Sequence, residues 1–347
     1  MISAFHSRLP AALLFWITVF LLTTAAQNDD AYLRAMARFR DGDFANAIEL
    51  FADAERNSPG ATDALLYKSR ALINLQRFPE ADKELRQYLK THVNSDDALY
   101  LLGFVLHREN KPEESLKVYT EAAAIRQPAG DDLKIVGLNY VLLNDYSEAI
   151  KWLEKAVSFE PKNKDAWYYL GRAYYSRGLL PDATKAFSTV LQLNPRDPRA
   201  ENNLGLILES QLKPDEALAA YRNAIAWQSE TNQQSEQPYL NLGSLLLDQN
   251  RTEEAVAPLE RAAHLAPSDS TCRLKLGTAY LRAKRLPEAQ RELEEATRSD
   301  PENAAAHFQL ARTYKQLKMN DQAKAEFARA AEIQSRTASR TIARPQP

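Results

Sequence analysis

Small residues recur along this chain every 34 positions, and that period limits what it can fold into. Gly103, Gly137, Gly171 and Gly205 are spaced by 34, as are Gly243 and Gly277. Twelve positions after each stands a small residue: Ser115, Ala149, Ala183, Ala217, Ala255 or Ala289. Sixteen after each is a large one (Tyr119, Leu153, Phe187, Tyr221, Leu259, Leu293), and nineteen after comes Ala122, Ala156, Val190, Ala224, Ala262 or Ala296. The register extends back through Ser69, with Ala81 and Leu85, to Ala35, with Ala47, Phe51, Ala54 and Pro59. Forward it reaches Ala311, Ala323, Phe327 and Ala330. A fixed period of this length marks stacked repeats, each of which buries its apolar face only against its neighbours. One interruption occurs, a four-residue insertion in the polar stretch Ser229–Gln237.

Each unit reads as two helices. Trp167, Leu170, Gly171 and Tyr174 fall on one helical face by their i, i+3, i+4, i+7 spacing. Pro181-Asp182 suits the first turn of a second helix, and Pro79-Glu80, Pro112-Glu113, Pro214-Asp215 and Pro287-Glu288 repeat the signal. Pro59, Pro161, Pro195, Pro267 and Pro301 then end that helix and set the turn into the next unit. The chain holds only 10 glycines, too few for a fold rich in tight turns.

The consensus W-x2-L-G-x2-Y, A-x3-F, P, met here by Trp167, Leu170, Gly171, Tyr174, Ala183, Phe187 and Pro195, resembles the tetratricopeptide repeat. The resemblance covers about residues 28–337, in units 28–61, 62–95, 96–129, 130–163, 164–197, 198–231, 236–269, 270–303 and 304–337. It implies an all-α, right-handed superhelical solenoid of nine tandem helix-turn-helix repeats, with first helices lining a concave groove. Departures are mild: Ala35, Ser69 and Ala311 replace the glycine, and Lys68 stands where leucine is expected, weakening unit two.

Catalytic signatures are missing. The five histidines are scattered, with no pair at metal-ligand spacing on a helix, and no glycine-rich phosphate loop or G-x-S-x-G occurs. The reading is therefore non-enzymatic, with no cofactor and no metal. A net charge of -2 gives no basic field for nucleic acid. Arg8, the apolar run Ala11–Leu22 and Thr24-Ala25-Ala26 read as a secretory signal, residues 1–26, which places the chain in periplasm or outside the cell. The alternative is an uncleaved anchor, the one way in which this reading touches a membrane. Cys272 is the only cysteine, so export brings no internal disulfide, and pairing between chains is the alternative to a buried thiol. The basic, proline-bearing segment 338–347 reads as a disordered tail.

Asp29, Asp63, Asp97, Asp131 and Asp165 form a 34-residue ladder where first helices begin. Two readings apply: each caps or complements a helix N-terminus, or the row binds cations or basic peptide. For the groove, about 100° per residue puts Tyr169 and Arg172 opposite the packing stripe and Tyr168 and Tyr175 to its side. Matching positions in units three to seven supply Tyr100, Phe104, Lys134, Asn202, Asn203 and Asn241. Aromatic, asparagine and basic side chains at fixed spacing suit an extended peptide. The lysine–asparagine carboxylate clamp of smaller family members does not occur in the first helices. Set against this interaction scaffold are a structural protein that self-assembles through its array ends and an accessory subunit recruiting an envelope enzyme.

Overall fold

The computed structural model describes residues 31–57, 62–231 and 234–342. The expected export signal and Asp29 lie outside them. The described residues form two compact units, one ending at Arg177 and one starting at Gly178. The first holds α1 (residues 31–40), α2 (Phe44–Asn57), α3 (Ala64–Asn74), α4 (Phe78–Leu89), α5 (Asp96–Arg108), α6 (Pro112–Ala123), α7 (Gly130–Leu142), α8 (Tyr146–Phe159) and α9 (Lys164–Ser176). The second holds α10 (Leu180–Leu193), α11 (Pro198–Ser210), α12 (Pro214–Ser229), α13 (Gln237–Asp248), α14 (Thr252–Leu265), α15 (Ser270–Arg282), α16 (Leu286–Ser299), α17 (Ala304–Gln316) and α18 (Asn320–Ile342). Among the described residues the protein is all-helical, and the helices follow one another as nine sequential pairs.

Within each unit, every helix packs on those before and after it, and first helices of successive pairs also touch. The 34-residue stripe is the reason. A Cβ at Gly137 would lie 2.7 Å from Leu153 Cγ and 3.3 Å from the Ala149 carbonyl oxygen. At Gly205 it would lie 2.5 Å from the Tyr221 ring, so paired helices meet at the distance glycine permits. Where Ser69 replaces the glycine, its hydroxyl donates to the Leu65 carbonyl at 2.7 Å and stays buried. The sixteenth-position residues Phe51, Leu85, Leu153, Phe187, Tyr221, Leu259 and Leu293 are all fully buried. Each removes on the order of 1.5–3 kcal/mol worth of apolar surface from water.

Proline enters the first turn of α4, α6, α10, α12 and α16 as its spacing predicts. The turns inside the pairs carry a second signal. Gly42, Gln76, Asn110, Asn144, Gly178, Leu212, Asn250, Lys284 and Lys318 all adopt positive φ, closing the preceding helix in the left-handed conformation.

One of three expectations is revised. Lys68, expected to weaken unit two, pairs through its ammonium with Glu84 at 2.9 Å and Glu55 at 3.7 Å. The tail does not begin at 338, because α18 runs on through Ile342, with no proline before Pro345 to stop it. Of the two readings of Cys272 the buried thiol is the one seen: it is fully buried, and burial, with Asp269 and Glu236 nearby, pushes its thiol up to about 12, so it is not poised to pair between chains. The insertion is absorbed by a lengthened α12 and a loop stitched to it, where the Gln228 amide donates to Ser235 O at 3.0 Å and accepts its N–H at 3.1 Å. No helix among the described residues is long and apolar enough to cross a membrane.

Candidate functional site

The first helices α3, α5 and α7 together wall a concavity of about 350 Å³. Its floor is apolar: Tyr100, Leu101 and Phe104 from α5, Tyr119 from α6 and Ile135 from α7. Its rim is charged: Arg70 from α3, Asp97 from α5, and Asp131, Asp132 and Lys134 from α7. Three of the sequence-predicted groove residues, Tyr100, Phe104 and Lys134, thus come together with two rungs of the aspartate ladder.

The rim is ordered by ion pairs, one of which crosses repeats. Arg70 Nη2 lies 3.0 Å from Asp97 Oδ2, and Lys134 Nζ lies 2.5 Å from Asp131 Oδ1. Arg126, in the loop before α7, pairs closely with Asp96 and covers the Tyr100 ring at 4.4 Å. The Tyr100 hydroxyl donates to the Arg126 carbonyl at 2.6 Å. Tyr100 is therefore mostly buried and presents little more than a ring edge, which the helical wheel did not foresee because the covering residue comes from a loop.

Two groups are left over. Arg70 Nε is a buried donor with no acceptor, the only such side-chain atom among the described residues. Asp132 accepts the Ala129 N–H at 2.9 Å, and no cation of the described residues lies within ion-pair distance of it. Burial pushes the Asp132 carboxyl up, against that N–H bond and the more distant Arg126 charge.

The aspartate ladder does not cap. The capping side chains are two positions earlier: Ser95 accepts from Ala98 N and Asn163 from Ala166 N. Asp197, Asp269 and Asn303 continue that row. The ladder residues Asp97, Asp131 and Asp165 instead sit in the first helical turn, where a negative charge complements the helix dipole. Asp63 does occupy a cap position, yet its carboxylate accepts the Tyr88 hydroxyl at 2.9 Å rather than a backbone N–H.

The remaining predicted residues fall elsewhere. On α9, Tyr168 and Tyr169 pack edge-to-face at 5.4 Å. Tyr169, expected to have little to pack against, is half-buried on the cluster that includes Leu133, Leu153 and Leu170, because first helices of adjacent repeats meet. Trp167 and Tyr174 join the same cluster, the indole donating to Pro161 O at 2.9 Å and the Tyr174 hydroxyl to Glu154 at 2.6 Å. Tyr175 is half-buried and Arg172 exposed. In the second unit Asn241 donates to Asn202 at 2.9 Å, and Asn203 donates back to the Arg199 carbonyl at 2.7 Å. Asn202, Asn203 and Asn241 are thus engaged within the fold. Sequence reasoning missed Arg70 and Asp132 as site residues. Arg70 was legible only as the first-helix position one unit before the Phe104 position.

Models of the tetratricopeptide repeat match residues 38–103, 140–205, 246–302 and 280–340, and a second such model matches 196–268. The human protein O-mannosyl-transferase TMTC1 is 30% identical over 172 residues, which are 48% of this chain and 19% of that protein. The cellulose synthase operon protein C of Pseudomonas fluorescens (strain SBW25) is 27% identical over 188 residues, 51% of this chain and 15% of that protein. The chain thus spans a fifth or less of these relatives. Among solved structures, the Cut9–Hcn1 hetero-tetramer of APC/C has a chain that superposes with a TM-score of 0.60 at 16% identity, covering 82% of this chain and 55% of that one. With the repeat models matching well over half of its length, this chain belongs to the tetratricopeptide repeat family.

Proposed function

We propose that this chain is an interaction scaffold without chemistry of its own, which grips an extended segment of a partner protein in the concavity of α3, α5 and α7. The observation that carries the reading is the leftover donor Arg70 Nε beside an apolar floor ringed by paired charges. A buried polar atom without a partner costs about 1–3 kcal/mol, and a backbone carbonyl from a bound segment supplies the missing acceptor. Leu101 and Phe104 are half-buried and offer apolar surface. The ion pairs hold the rim in place before the ligand arrives, so the ordering cost falls mainly on the ligand.

The test is a photo-cross-linking amino acid placed at Leu101, in the native host, with the same group at exposed Lys185 as control. The reading requires a discrete protein adduct from position 101 that position 185 does not give. Identical adduct patterns from both positions overturn it.

A further inference from the structure

We infer that the α3–α5–α7 concavity selects a basic side chain, a lysine or arginine of the bound segment, with its stem on the apolar floor and its charge against Asp132. The inference rests on the reading of this concavity as a peptide site.

Three ion pairs, Arg70–Asp97, Arg126–Asp96 and Lys134–Asp131, engage the two cations that line the rim and Arg126 beside it, while Arg108 lies over the Phe78 ring at 4.6 Å. Asp132 is the carboxylate without a cation at ion-pair distance. One of its oxygens is spent on the Ala129 N–H, and the side chain is a wall of the concavity. An incoming cation meets the unpaired Asp132, whereas an incoming carboxylate meets Asp132 beside three aspartates whose cations are already engaged. Partial burial strengthens the attraction relative to an exposed pair.

The floor matches the rest of such a side chain. Leu101, Phe104 and Ile135 are aliphatic and aromatic surface of the kind that covers the methylene stem of lysine or arginine. An apolar guest of the same length gains the floor but leaves Asp132 desolvated and unpaired, which is the basis of discrimination.

The probe is a positional-scanning library of capped nonapeptides, randomised except for a fixed central residue, one sub-library each for lysine, arginine, norleucine and glutamate. A photoreactive group at one terminus reports where they bind on the full chain. The expected result is that the lysine and arginine pools bind at least about tenfold tighter than norleucine, as befits one partly buried charge pair. Asp132→Asn, which keeps an acceptor for the Ala129 N–H, brings lysine down to the norleucine level. Cross-links fall on α5 and α7. If norleucine equals lysine while cross-links stay on α5 and α7, the basic preference is wrong and the peptide site stands. If cross-links fall elsewhere or no pool binds, both are wrong. Leu101→Trp, which fills the floor, and Phe104→Ala, which opens it, each lower binding of the lysine pool if the site is placed correctly. Unchanged binding in both variants overturns the placement.

Discussion

Arg273 and His307 stand 34 residues apart and span the same gap. Arg273 donates to the Pro267 carbonyl at 3.1 Å and pairs with Glu292 on the following helix. His307 faces the Pro301 carbonyl at 3.1 Å through Nε2 and Glu326 at 2.5 Å through Nδ1. Both acceptors of His307 call for N–H groups, and guanidinium supplies two at the equivalent site. His307→Arg should therefore keep the stability of the last pair, whereas His307→Leu, leaving both acceptors unpaired, should cost about 1–3 kcal/mol. Urea unfolding of the two variants checks this, and equal losses would sink the argument. A second histidine predicts a pH effect. Ser115 donates to the Gly103 carbonyl at 2.7 Å and accepts from Asn139 at 2.7 Å, so the Asn139 oxygen takes its bond from His107 Nδ1, 2.8 Å away. Burial lowers the His107 pKa, with Arg108 adding to it and the Asn139 bond opposing. The unfolded chain then takes up the proton first, so stability is full above about pH 6.5 and falls as pH drops toward the lowered folded value. His107→Gln, which retains the donor, should remove that part of the acid loss seen in thermal unfolding between pH 7 and 5. None of these polar bridges follows from the repeat consensus, because each joins residues whose types vary from unit to unit.

The helix stripes, by contrast, were plain in the sequence, since burying the same face nine times forces the same small and large residues to recur. Two periodic signals at the helix ends were equally legible and easily overlooked. One is the capping row Ser95, Asn163, Asp197, Asp269 and Asn303, which explains why the neighbouring aspartate ladder is free for other work at Asp97. The other is the positive-φ row from Gly42 to Lys318, in which glycine and asparagine fill five of nine places. Leucine has no such aptitude, yet Leu212 takes that place with φ 59° and is 89% exposed. A left-handed residue with a Cβ costs about 1–2 kcal/mol. Leu212→Gly should therefore raise stability by about 1 kcal/mol with nothing lost from the core, the greater freedom of glycine in the unfolded chain taking part of the gain. Gly42→Ala should do the reverse, and since nothing stands within 4 Å of the added Cβ, its cost is conformational alone. Thermal midpoints moving in the same direction for both variants would contradict this account. What no stripe or terminus reveals is the concavity itself. It depends on which loop residue folds over which ring, as Arg126 does over Tyr100, and that is settled only when adjacent units meet.

At the scale of the whole chain, helices within each unit touch their neighbours in sequence and little else, so a disturbance should spread over a pair or two and fade. Cys272 provides a natural reporter, being the only cysteine, fully buried on α15 and held protonated by its surroundings. It reacts with a maleimide only when its part of the array opens. Leu293 on α16 packs over Gly277 of α15, and Leu85 on α4 holds the same place in the second pair, both fully buried. Replacing either leucine with alanine removes the same atoms from equivalent sites and should cost about 2–5 kcal/mol locally. If stability is a sum of nearest-neighbour terms, Leu293→Ala should speed labelling of native Cys272 at least about tenfold, since each 1.4 kcal/mol of easier opening is worth that factor. Leu85→Ala, at the other end of the chain, should leave the rate within about twofold, although it weakens protection from hydrogen exchange in α3, α4 and α5. Equal acceleration by both substitutions would mean that the chain opens as one cooperative body, and the nearest-neighbour description would then have to be given up.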